Sequence, residues 1–303
     1  MSRTAVLTHF LVCLLISCAL AAPVHARQSV LFDQGHGQLF TIEKTGDLDI
    51  SHLAVLFRDA GFAVTSAAGP LGADLLAGVD ALVLSGAFKP YTPEEIEAIA
   101  AFVARGGALC IMLHIGPPVS ELLNRLGVDH SNGVIREQRD MIDHDPRNFR
   151  VTRLANHPLF RGLRQFSLYG AWALHENHPG VQALAVSSPS AWIDLNRNER
   201  LDPSDPQQSF AVTVAGTSGR GRFVVFGDDA IFQNKFLVGD NLVLGLNLVK
   251  WLSRNSVPAP SREERTPARN IHGGPAVEAA EYRSLLPRQV GDVDTLQKTL
   301  KVS

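Results

Sequence analysis

Cysteine is nearly absent from this chain: 303 residues carry three, Cys13, Cys18 and Cys110. Two of them fall in an apolar leader, so the mature chain keeps one thiol and can form no internal disulfide. Its stability must come from a hydrophobic core, which suits a large domain better than a small cross-linked scaffold. A charge excess of either sign is also missing. Lys plus Arg number 28 against 30 Asp plus Glu, a formal charge of −2. No basic surplus points to nucleic acid, and no acidic tract points to a solvating tail. Internal repeats are absent. No apolar run is long enough for a comfortable membrane span: the longest, from Ala5 to Leu20, is about 16 residues against the ~20 that a helix needs.

That run instead reads as an export signal. Arg3 gives it a positive start, and Val24-His25-Ala26 supplies a small-residue cleavage site. Residues 1–27 are therefore expected to be a signal peptide and the protein to be periplasmic or secreted. Leu15-Ile16-Ser17-Cys18 also resembles a lipoprotein box, which would place a lipid anchor on Cys18. No transmembrane helix is expected in the mature chain.

With an apolar fraction of 45%, the remainder has the makings of a core. Short apolar runs end in glycine-bearing loops: Ser29 to Phe32 before Asp33-Gln34-Gly35-His36-Gly37, Asp80 to Ser85 before Gly86, Ala108 to Leu113 before His114, and Arg222 to Phe226 before Gly227-Asp228-Asp229. Between them lie helical patterns. Thr92-Pro93-Glu94-Glu95 is a well-formed helix start, with a capping hydroxyl, proline in the first turn and two carboxylates at the positive end of the dipole. Gln182 to Ser188 and Phe210 to Val214 read as further strands, and a last helix is expected from Asp240 to about Leu252. Strands alternating with helices predict parallel pairing with crossover helices on both faces. The expected fold class is α/β, a flavodoxin-like or Rossmann-like three-layer sandwich with a mostly parallel sheet, spanning residues 28–253. Asp129 to Arg150 is polar and aperiodic and reads as a long excursion from it, a lid or irregular strands. Residues 254–303, rich in proline and charge, read as a disordered or loosely packed tail.

The order Asp33-Gln-Gly-His36-Gly, Leu84-Ser-Gly, Pro93-Glu-Glu-Ile, Phe102-Val-Ala-Arg-Gly106-Gly107 and Phe226-Gly-Asp228 resembles the class I glutamine amidotransferase-like domains. Within them it is most similar to the branch that includes auxiliary domains of gliding-motility transporters. The resemblance spans roughly Gln28 to Leu252. It implies the scaffold without the nucleophile. Working amidotransferases carry a cysteine on a tight elbow, whereas Cys110 sits mid-strand among apolar neighbours, where a thiol behaves as a small hydrophobe.

Functional groups of parallel sheets gather at the carboxyl ends of the strands. That rule collects Asp33, His36, Ser85, His114, Asp228 and Asp229 as a candidate ligand-binding set. A Ser85–His114–carboxylate triad lacks the flanking glycines of a nucleophile turn. His175 and His178 precede Pro179-Gly180 and read as loop residues.

One stretch has the spacing of a cation loop. Asp194, Asn196, Asn198, Arg200 (through its carbonyl), Asp202 and Asp205 fall at positions one, three, five, seven, nine and twelve, the pattern by which one loop wraps calcium in oxygen. Glu199 stands where such loops usually place glycine. A structural Ca2+ of weak affinity, about 10⁻⁴ to 10⁻³ M, is the expected cofactor. The sequence thus predicts a secreted, non-catalytic module that binds an unidentified small-molecule or protein partner and carries a structural calcium loop. Its alternative is a metal-assisted hydrolase using Asp33, His36, His114 and Asp228.

Overall fold

The computed structural model describes residues 27–254. The expected signal peptide with Cys18, and the tail beyond Arg254, lie outside the described residues. No helix among those described is long and apolar enough to cross a membrane.

The first half of the domain alternates as its sequence predicts. Strands β1 (Ser29–Asp33), β2 (Ala63–Ala67), β3 (Ala81–Ser85) and β4 (Ala108–Met112) are interleaved with helices α1 (Ser51–Asp59), α2 (Ala73–Leu76) and α3 (Pro93–Ala104). Helix α3 carries a full capping box: Thr92 accepts from the Glu95 amide while Glu95 accepts from the Thr92 amide. The short α4 (Ser120–Arg125) follows a 3-10 turn at Pro117–Val119.

From there the pattern changes. Ten strands follow with no α-helix among them: β5 (Val128–Arg136), β6 (Met141–Ile142), β7 (Asp145–Val151), β8 (Arg153–Leu154), β9 (Phe166–Tyr169), β10 (Trp172–Glu176), β11 (Val181–Val186), β12 (Trp192–Ile193), β13 (Ala211–Ser218) and β14 (Gly221–Phe226). Helix α5 (Gly239–Leu252) closes the domain. It starts at Gly239 with no side-chain cap, so Asp240 falls in the first turn and does not cap it.

The expected mostly parallel sandwich is therefore wrong. The main sheet has 11 strands in the order β12-β5-β10-β13-β14-β4-β3-β1-β2, with β11 on β13 and β8 on β11. Only the pairs β1–β2, β1–β3, β3–β4 and β4–β14 are parallel. The pairs β13–β14, β10–β13, β5–β10, β5–β12, β11–β13 and β8–β11 are antiparallel, as are both pairs of a small separate sheet, β6-β7-β9. The sheet is mixed and largely antiparallel, with few helices. The switch occurs at the β13–β14 hairpin: β14 lies parallel to β4 but reverses against β13, and every strand beyond pairs antiparallel.

Of the parallel strands, β1, β3, β4 and β14 are buried on both sides, which explains their apolar runs, whereas β2 at the end of the sheet is partly exposed. Val30, Phe32, Val83, Cys110 and Phe226 face one cluster with Leu53 and Phe57 of α1 and Leu244 and Leu248 of α5. Leu31, Leu82, Leu84, Ile111 and Val225 face the other, with Ile99 and Phe102 of α3 and Leu122 and Leu123 of α4. Cys110 is 0% exposed, and burial pushes its thiol far above the ordinary range. It is no nucleophile.

Candidate functional site

The carboxyl ends of β1, β3, β4 and β14 do share one edge, but the predicted residues divide into two separate groups there. In the first, the Asp33 carboxylate is saturated. Its Oδ2 accepts from His36 Nδ1 at 2.8 Å, Tyr91 OH at 2.7 Å and Gln38 Nε2 at 2.7 Å, and its Oδ1 accepts from the Gly35 amide at 3.0 Å. The other ring nitrogen of His36 lies 3.0 Å from Glu95 Oε1. Glu95 is fixed in turn by the amides of Leu71 and Thr92. The His36 ring also stacks on Tyr91, centroids 3.9 Å apart. Burial works against charge on this imidazole, but Asp33 and then Glu95 outweigh it and raise its pKa above the ordinary 6.5. His36 is an internal cation that ties the loop after β1 to the start of α3. Both its nitrogens are taken, so it has no lone pair for a metal.

The second group is buried except at its histidine. His114, just beyond β4, places Nδ1 3.0 Å from Asp229 Oδ1, beyond β14. Its side chain is 22% exposed, and no partner engages Nε2 among the described residues. Phe40 and Phe88 flank the ring at 5.6 and 5.2 Å between centroids. Trp172, from β10, donates its indole N–H to the His114 carbonyl at 3.1 Å. Burial again opposes charge on the imidazole, and Asp229 and then Asp228 raise its pKa. Asp228 itself is held by the amides of Tyr169 (2.5 Å) and Ala230 (2.9 Å). Burial, and then the neighbouring Asp229, push its carboxyl up to about 7. Two buried polar atoms at this edge have no partner among the described residues, Asp229 Oδ2 and Ser85 Oγ. Glycine is required at position 86 between them: a Cβ there would lie 2.6 Å from Asp229 Oδ2, and φ is +60°. Asp33, His36, His114 and Asp228 do not converge as one set. Among the described residues no group of three or more His, Cys, Asp or Glu side chains could hold a metal ion.

A third histidine on this edge was not foreseen. His130, on β5, sets Nε2 2.6 Å from Ser120 Oγ, the first residue of α4. Its Nδ1 lies 2.7 Å from the Ser131 carbonyl. A carbonyl only accepts, so Nδ1 carries the proton. Burial pulls the ring's pKa below the ordinary value, against smaller opposing effects of the Ser131 carbonyl and Asp129. In the resulting neutral imidazole Nε2 holds the lone pair and accepts from the Ser120 hydroxyl. Ser131 is locked too: its Oγ donates to the Gly133 carbonyl at 2.6 Å and accepts from the Ala173 amide at 3.0 Å. Trp172 meets His130 edge-on at 5.7 Å, so this pair and His114 share one indole as neighbour. Gly116 makes the approach possible, since a Cβ there would fall 2.3 Å from His130 Nδ1. The sequence signal was slight: a glycine and two prolines before a serine, with a histidine ten residues on.

The cation-spaced loop connects β12 to β13. Asp194 accepts from the Asn198 amide at 3.1 Å and the Glu199 amide at 2.8 Å. Asn198 accepts from the Arg200 amide, and Asp205 from those of Leu195 and Asp202. Asn196 and Asn198 both donate their side-chain amides to Asp202 Oδ2. The Ser204 hydroxyl and amide lead in holding the Asp202 carboxyl down to about 2. Arg197 and Glu199 take positive φ, 61° and 63°. Glu199 thus adopts the left-handed turn for which glycine is the usual choice. Arg136 Nη2 stands 3.4 Å from Asp194 Oδ2.

A family model described as a domain of unknown function, DUF4350, matches residues 49–249, about two-thirds of the sequence. The chain belongs to the DUF4350 family. The DUF4350 region contains Ser85, His114, Ser120, His130, the cation-spaced loop and Asp228–Asp229, and it begins after Asp33 and His36. No curated protein sequence matches the chain significantly. Among solved structures, the N-terminal domain of mmIFT52 is similar with a TM-score of 0.60 at 17% identity, over 74% of this chain and 96% of that one. A ThuA-like protein from Bacteroides uniformis scores 0.47 at 12% identity, over 75% of this chain and 91% of that one. A cytoplasmic protein from Salmonella typhimurium scores 0.47 at 18% identity, over 75% and 100%. The first of these is a likeness of fold.

Proposed function

We propose that this DUF4350 protein is an exported module that binds a small polar ligand at the sheet edge centred on His114. The observation that carries this reading is the orientation of the His114–Asp229 pair. Asp229 fixes the imidazole through Nδ1 and favours its charged form, which leaves Nε2–H, unpartnered among the described residues, as a charge-assisted donor on a ring flanked by two phenyl rings. A ligand carrying a carboxylate or phosphate oxygen fits that donor. The kinship with class I amidotransferase-like domains enters as part of the proposal, as a shared scaffold in which Cys110 is sealed within a strand. Export to the periplasm, with or without a lipid on Cys18, belongs to the same reading. The test is a titration of protein labelled with 15N-histidine, using acetate and inorganic phosphate as probes. A saturable shift of the His114 Nε2 resonance, lost in Asp229→Asn, is expected. If neither probe moves that resonance, the binding assignment fails.

Calcium at the 194–205 loop is a separate part of the proposal, supported by the chemistry of the donors. Asp194, Asp202 and Asp205 supply carboxylates, Asn196 and Asn198 amide oxygens and Arg200 a carbonyl, an all-oxygen set suited to a hard cation. The three carboxylates do not form one metal-holding cluster in the structure, so calcium binding would have to draw them together, and would then pin the loop between β12 and β13. Millimolar calcium should raise the melting temperature relative to chelator, and Asp194→Ala should remove the rise. Equal responses in the two proteins would rule the ion out.

A further inference from the structure

The Ser120–His130 pair supports an activity beyond ligand binding. We propose that Ser120 and His130 form a nucleophile and base that hydrolyse a carboxylic ester brought to the sheet edge beside Trp172. Three observations carry the assignment. The hydroxyl and the imidazole are within hydrogen-bond reach, 2.6 Å. The imidazole has its far nitrogen on a fixed carbonyl, so the lone pair on Nε2 is aimed at the hydroxyl. Ser120 is half-buried while the imidazole is 2% exposed, so the base is approached from the serine side of the pair, by substrate first and by the hydrolytic water second. The Ser131 carbonyl takes the orienting role that a carboxylate plays in the Ser-His-Asp arrangement. Lowering of the imidazole's pKa by burial keeps it neutral, as a base must be near neutral pH.

The step balances within the pair. Ser120 Oγ attacks the ester carbonyl carbon and its proton passes to His130 Nε2. The tetrahedral intermediate collapses, the bond to the leaving alkoxide breaks, and Nε2 returns the proton to that oxygen. Water then repeats the sequence on the acyl-serine, with His130 first accepting its proton and then restoring the Ser120 hydroxyl, and a carboxylic acid leaves. No metal or redox partner is needed.

The experiment treats the intact protein with a fluorophosphonate, which a competent serine displaces at phosphorus with loss of fluoride, and with p-nitrophenyl acetate. One covalent adduct is expected, mapped by mass spectrometry to Ser120, together with ester turnover. Ser120→Ala, a half-buried change that keeps the fold, should abolish both. His130→Gln should slow labelling by roughly 100-fold or more, the contribution typical of a positioned base. Gly116→Ala, whose methyl displaces the imidazole, should approach the same rate while leaving Ser120 in place. Melting temperatures check that each variant is folded, and Ser120→Ala decides between the outcomes should His130→Gln not fold. A native protein that takes no adduct, or a Ser120→Ala variant that is labelled as fast as the native one, overturns the proposal.

Discussion

His36 and His130 are both buried at the same sheet edge, 6% and 2% exposed, yet they are opposite in character. His36 has a carboxylate on each nitrogen, Asp33 on one side and Glu95 on the other. His130 has a carbonyl on one and a hydroxyl on the other. Equal burial would lower both pKa values. Two carboxylates overcome that in His36, while neutral partners leave it to prevail in His130. The partners decide what the ring can do. The first is a fixed cation holding two loops together, and the second keeps a free lone pair against a hydroxyl. Burial alone would have assigned both the same role.

The sharpest way to break this contrast is to remove each ring's key interaction and compare the costs. His36→Leu deletes a buried cation between two carboxylates and should destabilise the protein by about 3 kcal/mol, the lower end for a broken buried pair. The lower end applies because Asp33 keeps Tyr91, Gln38 and the Gly35 amide, and Glu95 keeps two amides. Ser120→Ala removes a neutral hydroxyl that bonds His130 Nε2 at 2.6 Å and, weakly, the Gly116 carbonyl at 3.4 Å, and should cost about 1 kcal/mol. Urea denaturation of both variants measures the gap. Equal costs would mean that His36 carries no charge worth the name.

Much of this edge was legible in the sequence because single strands announce their ends. Asp33, His36, Ser85, His114, Asp228 and Asp229 each follow an apolar run closed by a polar or glycine residue, and parallel strands bring such ends together. Their division into separate groups was not legible. It depends on Glu95 and Tyr91, which read as a helix cap and a loop aromatic, and which the fold swings onto His36 from 59 and 55 positions away (95 − 36 and 91 − 36). The mixed sheet was missed for a related reason. In β5 the sequence Val128-Asp-His-Ser-Asn-Gly-Val-Ile-Arg136 buries His130 and Ser131 through hydrogen bonds. Hydropathy has no signal for strands that bury polar groups, so the stretch read as an aperiodic excursion. The same blindness hid the Ser120–His130 pair. A search for a nucleophile on a glycine-flanked elbow passes over a hydroxyl whose backbone is ordinary helix, φ −53° and ψ −48°.

The smaller prediction concerns proton uptake. Histidine resonances followed by NMR between about pH 5 and about pH 9 should titrate in a fixed order, His36 above the ordinary 6.5 and His130 below it. The consequences for stability have opposite signs. His36 binds its proton more tightly in the folded state, so its contribution is complete below the unfolded value of 6.5 and fades as pH rises through the folded value. His130 binds its proton less tightly when folded, so its contribution is complete above 6.5 and fades as pH falls through the lowered value. The difference in stability between native protein and His36→Leu should therefore shrink toward alkaline pH, where a neutral His36 can no longer offset Asp33 and Glu95. A difference that stays constant across the range, or a His130 that titrates above His36, would show that the flanking groups do not set the charge of these rings.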